Sequence, residues 1–416
     1  MAYSVKERIA HVYRRLGLGS YPDLIASTET VEDAIDRALD LDYPAPQLLE
    51  MEVPLDRETA NDIANLAAPV QSWLTSIVQS PRPIEERLVW FWHDHFATAI
   101  QKVRIPYLLW RQHLTIRDHA TGGFDGLLKA IAVDPAMLRY LDGSHNRVGS
   151  VNENFAREVM ELHTLGTGNY SQTDITEAAK ALTGWVINVP YARQAQRFLS
   201  EYAPWESAVI PDLHYEGTTT ILGQTGFHSM DDVLDILLEN PATARFITAK
   251  LWAELVGTLP DEATVVQHAQ VFRAGYSTLA LAESIARDPA FIADDAIRSK
   301  VRTPVERLVA IAQGMGNGQV DERLGYSLHG MAYLPFNPPS PAGYAKGRIL
   351  LGPHQMIHAF DLLAVANVEG PTTSKEILTK MGLIDVSDGS RKVLDQAPDV
   401  ATRIALAVNT PEFALV

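Results

Sequence analysis

The sequence predicts a mainly α-helical protein: one large multi-helix globular unit with a small β-hairpin and loop insertion around residues 185–228. Three features carry that expectation. Apolar residues recur at a spacing near 3.6 through most of the chain, the mark of helices that bury one face. Prolines and acidic residues stand where helix starts favour them. In the middle of the chain, Gly, Thr and aromatic residues displace this pattern in TGWVINVP and GTTTILGQTGFHS, which reads as loops with a short hairpin.

In chain order, Val5, Ile9, Val12, Tyr13 and Leu16 form one apolar stripe over residues 5–16. Residues 31–40 make a short acidic amphipathic helix. Residues 58–79 read as a helix that Pro69 must break or kink. Pro83 opens a strong helix over 84–99, with Glu85 and Glu86 near the positive end of its dipole. Further helices are expected at 103–119, 124–133, 135–141, 152–165 and 172–184. They resume at about 230–239, 241–257, 261–273, 278–287 and 303–315, then at about 353–366 and in the tail. The prolines of the loop Leu334–Gly347, LPFNPPSPAGYAKG, forbid a helix. Tyr333, Leu334, Phe336 and Tyr344 are too apolar to leave exposed, so this loop should pack on the helical body. AIAVDPAM (130–137) and SIARDPAF (284–291) echo each other as a shared helix start, with Asp as the cap and Pro at the first helical position. The whole of 1–416 is expected to form one domain; the natural subdivision, if there is one, is 1–184 and 229–416 around the insertion.

Composition bounds the function. With 416 residues and 46% hydrophobic content the chain can build a sizeable core. Lys plus Arg total 35 against 51 Asp plus Glu, a formal charge of −16. With no basic run, this argues against nucleic acid and anionic lipid as partners. There is no cysteine, which removes a disulfide-linked partner, thiolate metal sites and cysteine nucleophiles. No apolar stretch is long enough for a membrane span. The N-terminus lacks a secretory h-region, so a cytoplasmic location is expected.

The densest polar segment is NENFAREVMELHTLGTGNY, residues 152–170. On a helix, Asn154, Glu158 and Glu161 share one side and Arg157 flanks them. His163 falls roughly opposite and joins them only if the helix loosens before Gly166. Two carboxylates on one face of an apolar helix repel unless a cation, a metal or a shared proton lies between them. Glu158, Glu161, Arg157 and His163 are therefore the candidate catalytic residues. In EERLVWFWHDHFA, residues 85–97, Glu86, Trp90 and His93 share a face and His95 points away. Glu86 and His93, with Glu158 and Glu161 from the facing helix, are the candidate ligands of a divalent metal. The competing view of both segments is structural: core-edge histidines bonded to carbonyls, and glutamates tied up with Arg157. No GxGxxG, P-loop, GxSxG or HExxH is present.

NENFAREVMELHTLG, joined to DITEAAKALTGW, resembles a widespread bacterial family of proteins of unknown function, numbered eighteen hundred. FWHDHFAT, DPAMLRYLDG, PATARFITAKLW, GYSTLALAESIARDPAF, KVRTPVERL and PPSPAGY follow in the family's order, from about residue 5 to about 365. The resemblance implies a single large helical unit and carries no activity with it. Members usually show His-Asp where this chain has His214-Tyr215, and members often look exported.

Three functions compete on the residues. The first is an enzyme with a Glu/His/Arg acid–base or divalent-metal site between helices 84–97 and 152–165. The second is a non-catalytic helical binding or assembly protein. The third is a haem-peroxidase-like protein, suggested by FWHDHF and LHTLG, although Arg87 lies six residues before His93 where a spacing of four is expected.

Overall fold

The computed structural model describes residues 3–192, 199–316, 318–321, 323–365 and 373–416. The protein is mainly α-helical, and its strands are confined to two small antiparallel pairs among these residues. Helix starts follow local chemistry. Ser4 caps Val5–Leu16 by accepting from the Glu7 N–H, and Thr30 does the same for Val31–Leu39. Reciprocal Ser171/Asp174, Ser229/Asp232 and Thr303/Glu306 capping boxes open Gln172–Ala181, Met230–Glu239 and Pro304–Met315. The echoed DPA motifs are helix starts: Asp134 caps Pro135–Tyr140, and Asp288 caps the short 3₁₀ turn Pro289–Ile292.

Several boundaries differ from expectation for identifiable reasons. Pro69 does not break its helix; it sits in the first turn of Ala67–Gln79, where its missing N–H costs nothing. The interruption falls at Asp62, whose side chain caps the 3₁₀ turn Ile63–Leu66. The helix from Pro83 stops at His95. The helix expected over 103–119 starts at Pro106, as Pro106–His119, and a separate short helix, Ile100–Val103, precedes it and ends at a left-handed Arg104. The 152–165 segment is α-helical only over Asn154–Glu158; Val159–Thr164 is π-helical, closed by Leu165 N–H on the Met160 carbonyl at 2.8 Å. Gly166, at φ 72°, then turns the chain away. Two strand pairs occupy the insertion instead of one hairpin. Trp185–Ile187 pairs with Ser207–Val209, and Thr219–Ile221 folds back on Gln224–Gly226 through left-handed Leu222 and Gly223. Helices Pro22–Ser27 and Leu324–Gly330 were not expected.

One contiguous core runs from Ile9 and Leu16 through Trp73, Leu88 and Trp92 to Ile247, Leu251, Leu308 and Phe413. The proline-rich loop closes over it: Tyr333, Phe336 and Tyr344 are buried. The Phe336 carbonyl accepts from Ile100 N–H at 2.8 Å. Gly343 lets the loop approach, since at φ 93° a Cβ there would stand 2.2 Å from Asp94 Oδ1. Among the described residues, no helix is long and apolar enough to cross a membrane.

Arg87 ties the helices together. Its guanidinium is fully buried and donates to Glu254 at 2.8 Å, to Glu306 at 2.7 Å, to the Arg14 carbonyl at 3.0 Å and to the Gly17 carbonyl. Removing one member of a buried ion network strands the others. Arg87→Met is therefore expected to cost about 3–5 kcal/mol, read as an earlier urea-unfolding midpoint. An unchanged midpoint would show that the network does not hold these helices.

Candidate functional site

The structure gives the sequence-derived candidates separate partners, although Glu158, Glu161 and Arg157 remain neighbours. Glu86 is fully buried and spent on Arg117, which donates to its two oxygens at 2.8 and 2.7 Å. His93 is enclosed by Trp73 and Phe336, ring centroids 4.7 and 5.2 Å away, and its Nε2 accepts the Phe336 N–H at 3.3 Å. Arg157 reaches Glu153 at 3.0 Å and Gln172 at 3.1 Å, so its salt bridge is with Glu153 and not with Glu158 or Glu161. Glu161 instead accepts from the Tyr170 hydroxyl at 2.7 Å. Burial, and then the Glu161 charge, raise the pKa of half-buried Glu158. The helix does loosen before Gly166, yet His163 stays on the other side, buried against Phe96. Among the described residues, no group of three or more His, Asp or Glu side chains is gathered as a metal would need. Glu86, His93, Glu158 and Glu161 are thus not brought together as ligands. His93 and His163 are both buried in aromatic surroundings, which offers the peroxidase-like arrangement no support.

Chemistry-bearing side chains converge elsewhere, around a cavity of about 360 Å³. Helix Pro83–His95 contributes Trp90, Phe91 and Asp94. Helix Pro241–Leu255 presents Lys250 and Glu254, four residues apart and so on one face. Lys300 and Thr303 come from the extended run before helix Pro304–Met315, which the chain end holds through Arg302 N–H on the Ala414 carbonyl at 2.8 Å. Tyr333, Lys346 and Arg348 come from the proline-rich loop and its continuation.

The charges divide clearly. Lys300 binds Glu254 at 2.5 Å and Glu306 at 3.3 Å. Lys346 binds Asp94 Oδ2 at 2.7 Å, while Asp94 Oδ1 accepts the Tyr344 N–H, also at 2.7 Å. Although burial opposes their ionisation, Lys300 and Arg87 hold Glu254 and Glu306 below the usual carboxylate range. Lys250 is different. Its Nζ lies 2.8 Å from His95 Nδ1, and among the described residues it has no carboxylate within ion-pair distance. His95 Nε2 lies 3.1 Å from the His163 carbonyl, which can only accept; the proton is therefore on Nε2, and Nδ1 accepts from Lys250. Burial, and then the neighbouring Lys346 charge, bring Lys250 down to about 8.

Four cations (Lys250, Lys300, Lys346, Arg348) face two carboxylates (Asp94, Glu254) on the wall, a difference of 4 − 2 = +2. Both carboxylates are already engaged by lysines, so this set suits an anion better than a metal ion. Asp94, Lys250, Glu254, Lys300 and Lys346 do not stand out in the sequence as a site. The available signal was charge inside apolar segments, as in AKLWAEL and FWHDHF, where an ion needs a partner.

Burial also makes five histidines poor bases. His93 and His163 are lowered to about 3, and His11, His95 and His113 well below 6.5. Each binds fewer protons folded than unfolded, so its stabilising contribution is full above pH 6.5 and is lost as pH falls. Asp134, raised to about 7 by burial, acts in the opposite sense. Glu85 and Glu158, also raised by burial, act with Asp134, so five histidines stand against three carboxylates. Stability should fall below pH 6.5, at up to about 1.4 kcal/mol per pH unit for each histidine, read as a falling melting temperature. A flat profile down to pH 5 would contradict this burial.

A family model described as "Protein of unknown function (DUF1800)" matches residues 11–415. The match runs to the end of the chain, beyond the stretch over which the resemblance was visible. No curated protein and no solved structure matches the sequence.

Proposed function

The chain belongs to that family, which assigns it no activity, and we propose from the pocket that it binds a small anionic molecule and exchanges a proton with it through Lys250. The observation that carries this reading is the unequal pairing of the lysines. Lys300 and Lys346 are held by carboxylates, whereas Lys250 rests on a neutral imidazole nitrogen and lines an open cavity. A half-buried lysine kept for structure alone would be expected to have a carboxylate beside it. A lysine that titrates near neutrality is suited to give or take a proton. The cavity volume fits a small molecule and not a polymer. The acid–base site moves accordingly, from the glutamates of the 152–165 segment to the wall that holds Asp94 and Lys250, with His95 buried behind Lys250.

Isothermal titration with inorganic phosphate and with citrate tests this. An anion favours protonated Lys250, so binding should be full below pH 8 and weaken as pH rises through about 8. Lys250→Met should weaken it by about tenfold or more, the usual loss for a charged hydrogen bond. Saturable binding indifferent both to pH and to this substitution would place the anion elsewhere, and no binding at all would end the reading.

A further inference from the structure

We propose that Lys250 is an imine-forming amine, which condenses with the aldehyde or ketone group of a small anionic carbonyl compound held in the pocket. The inference rests on the pocket reading above and narrows its ligand. Three lysines line this cavity, and the fold treats them differently. Lys300 and Lys346 each sit on carboxylates, which keep them charged and suit them to hold an anionic group. Lys250 has no carboxylate within ion-pair distance among the described residues, although the Asp94 charge acts on it from farther off; its hydrogen bond goes to His95 Nδ1, a neutral acceptor fixed by the commitment of Nε2 to the His163 carbonyl. One Nζ hydrogen is thereby used to position the nitrogen, which also lies over the Phe246 ring, 5.3 Å from its centre.

Removing a lysine from water and placing it beside another cation is the general way to obtain a nucleophilic amine near neutral pH. At about 8, about a tenth of Lys250 is uncharged at pH 7. His95, lowered well below its usual range, cannot take a proton from the ammonium; it orients the nitrogen only. The anionic end of the substrate falls to Lys346 and Arg348.

The step balances without a redox partner. The nitrogen lone pair attacks the carbonyl carbon and the C–O π bond opens to a carbinolamine. The C–O bond then breaks as the C=N bond forms. Starting from the ammonium, two of its three protons leave with the carbonyl oxygen as water, and the third stays on the iminium nitrogen.

The test uses the full-length protein with glyoxylate, pyruvate or glycolaldehyde phosphate, each with sodium cyanoborohydride near neutral pH. The expected product is one adduct per chain whose added mass equals the probe less one oxygen atom. Peptide mapping of the unaltered protein should place it on Lys250. Lys250→Arg, which keeps the charge and removes the amine, should lose it. Label spread over surface lysines, label undiminished in Lys250→Arg, or no label from any of the three probes overturns the proposal. Inorganic phosphate binding, measured on the same preparation, separates the two readings: binding without an adduct ends the imine and leaves the anion pocket standing, whereas absence of both ends both.

Discussion

Everything around the pocket depends on how the buried Arg87 is satisfied. A guanidinium that never loses its proton must find acceptors for its donors once it leaves water. For its two terminal nitrogens they come from three directions: two carbonyls at the end of helix Val5–Leu16, Glu254 on helix Pro241–Leu255, and Glu306 on helix Pro304–Met315, while Nε finds none among the described residues. Lys300 supplies the second cation, so two positive groups face two carboxylates and the cluster is neutral. Buried ions rarely add much net stability over an apolar replacement, but they are intolerant of misplacement. The network thus sets helix Pro83–His95 against three others and fixes the approach of the Lys300 segment; of these, helices Pro83–His95 and Pro241–Leu255 and the Lys300 segment line the cavity.

A second constraint sets the chemistry on the other wall. The π-helical turn Val159–Thr164 widens the chain before Gly166 and brings the His163 carbonyl to a point where His95 Nε2 reaches it. Carbonyls in the last turn of a helix have no following N–H to accept from, so an outside donor is welcome. One peptide oxygen thereby determines the tautomer of a buried ring and, through it, the position of the Lys250 nitrogen. The latch of Asp94 onto Tyr344 and Lys346 works in parallel and draws the proline-rich loop over the same wall.

Much of the fold was legible because its signals are local. Val5–Leu16 and Met230–Glu239 begin and end where the pattern puts them, since a Ser cap and an apolar stripe need no knowledge of the rest of the molecule. Pro69 misled because proline is a breaker or a first-turn residue according to a start site that lies outside its own neighbourhood. The π turn was invisible, as residue type does not set the closure of a hydrogen bond one position later. Partners explain the misplaced site. A helical wheel shows that Glu86 and His93 share a face, but not that Arg117, 31 residues on, occupies Glu86, nor that Glu153 takes Arg157. Lys250 resembled any solvated lysine on an amphipathic helix. Its meaning comes from His95, 155 residues earlier in the chain.

The net charge of −16 and a cationic pocket are compatible once distance is considered. Exposed carboxylates act through water and salt, and beyond about 8–10 Å they are largely screened. Lys250, Lys300, Lys346 and Arg348 act across a cavity whose walls include Trp90, Phe91 and Tyr333, where the effective dielectric is lower and each charge counts for more. An acidic exterior still repels long polyanions, which must lie along the surface and feel all of it. A small anion that enters the cavity exchanges that exterior for a few nearby cations. The composition that argues against nucleic acid as a partner therefore says nothing against a small anionic ligand, and the size of the cavity selects for one.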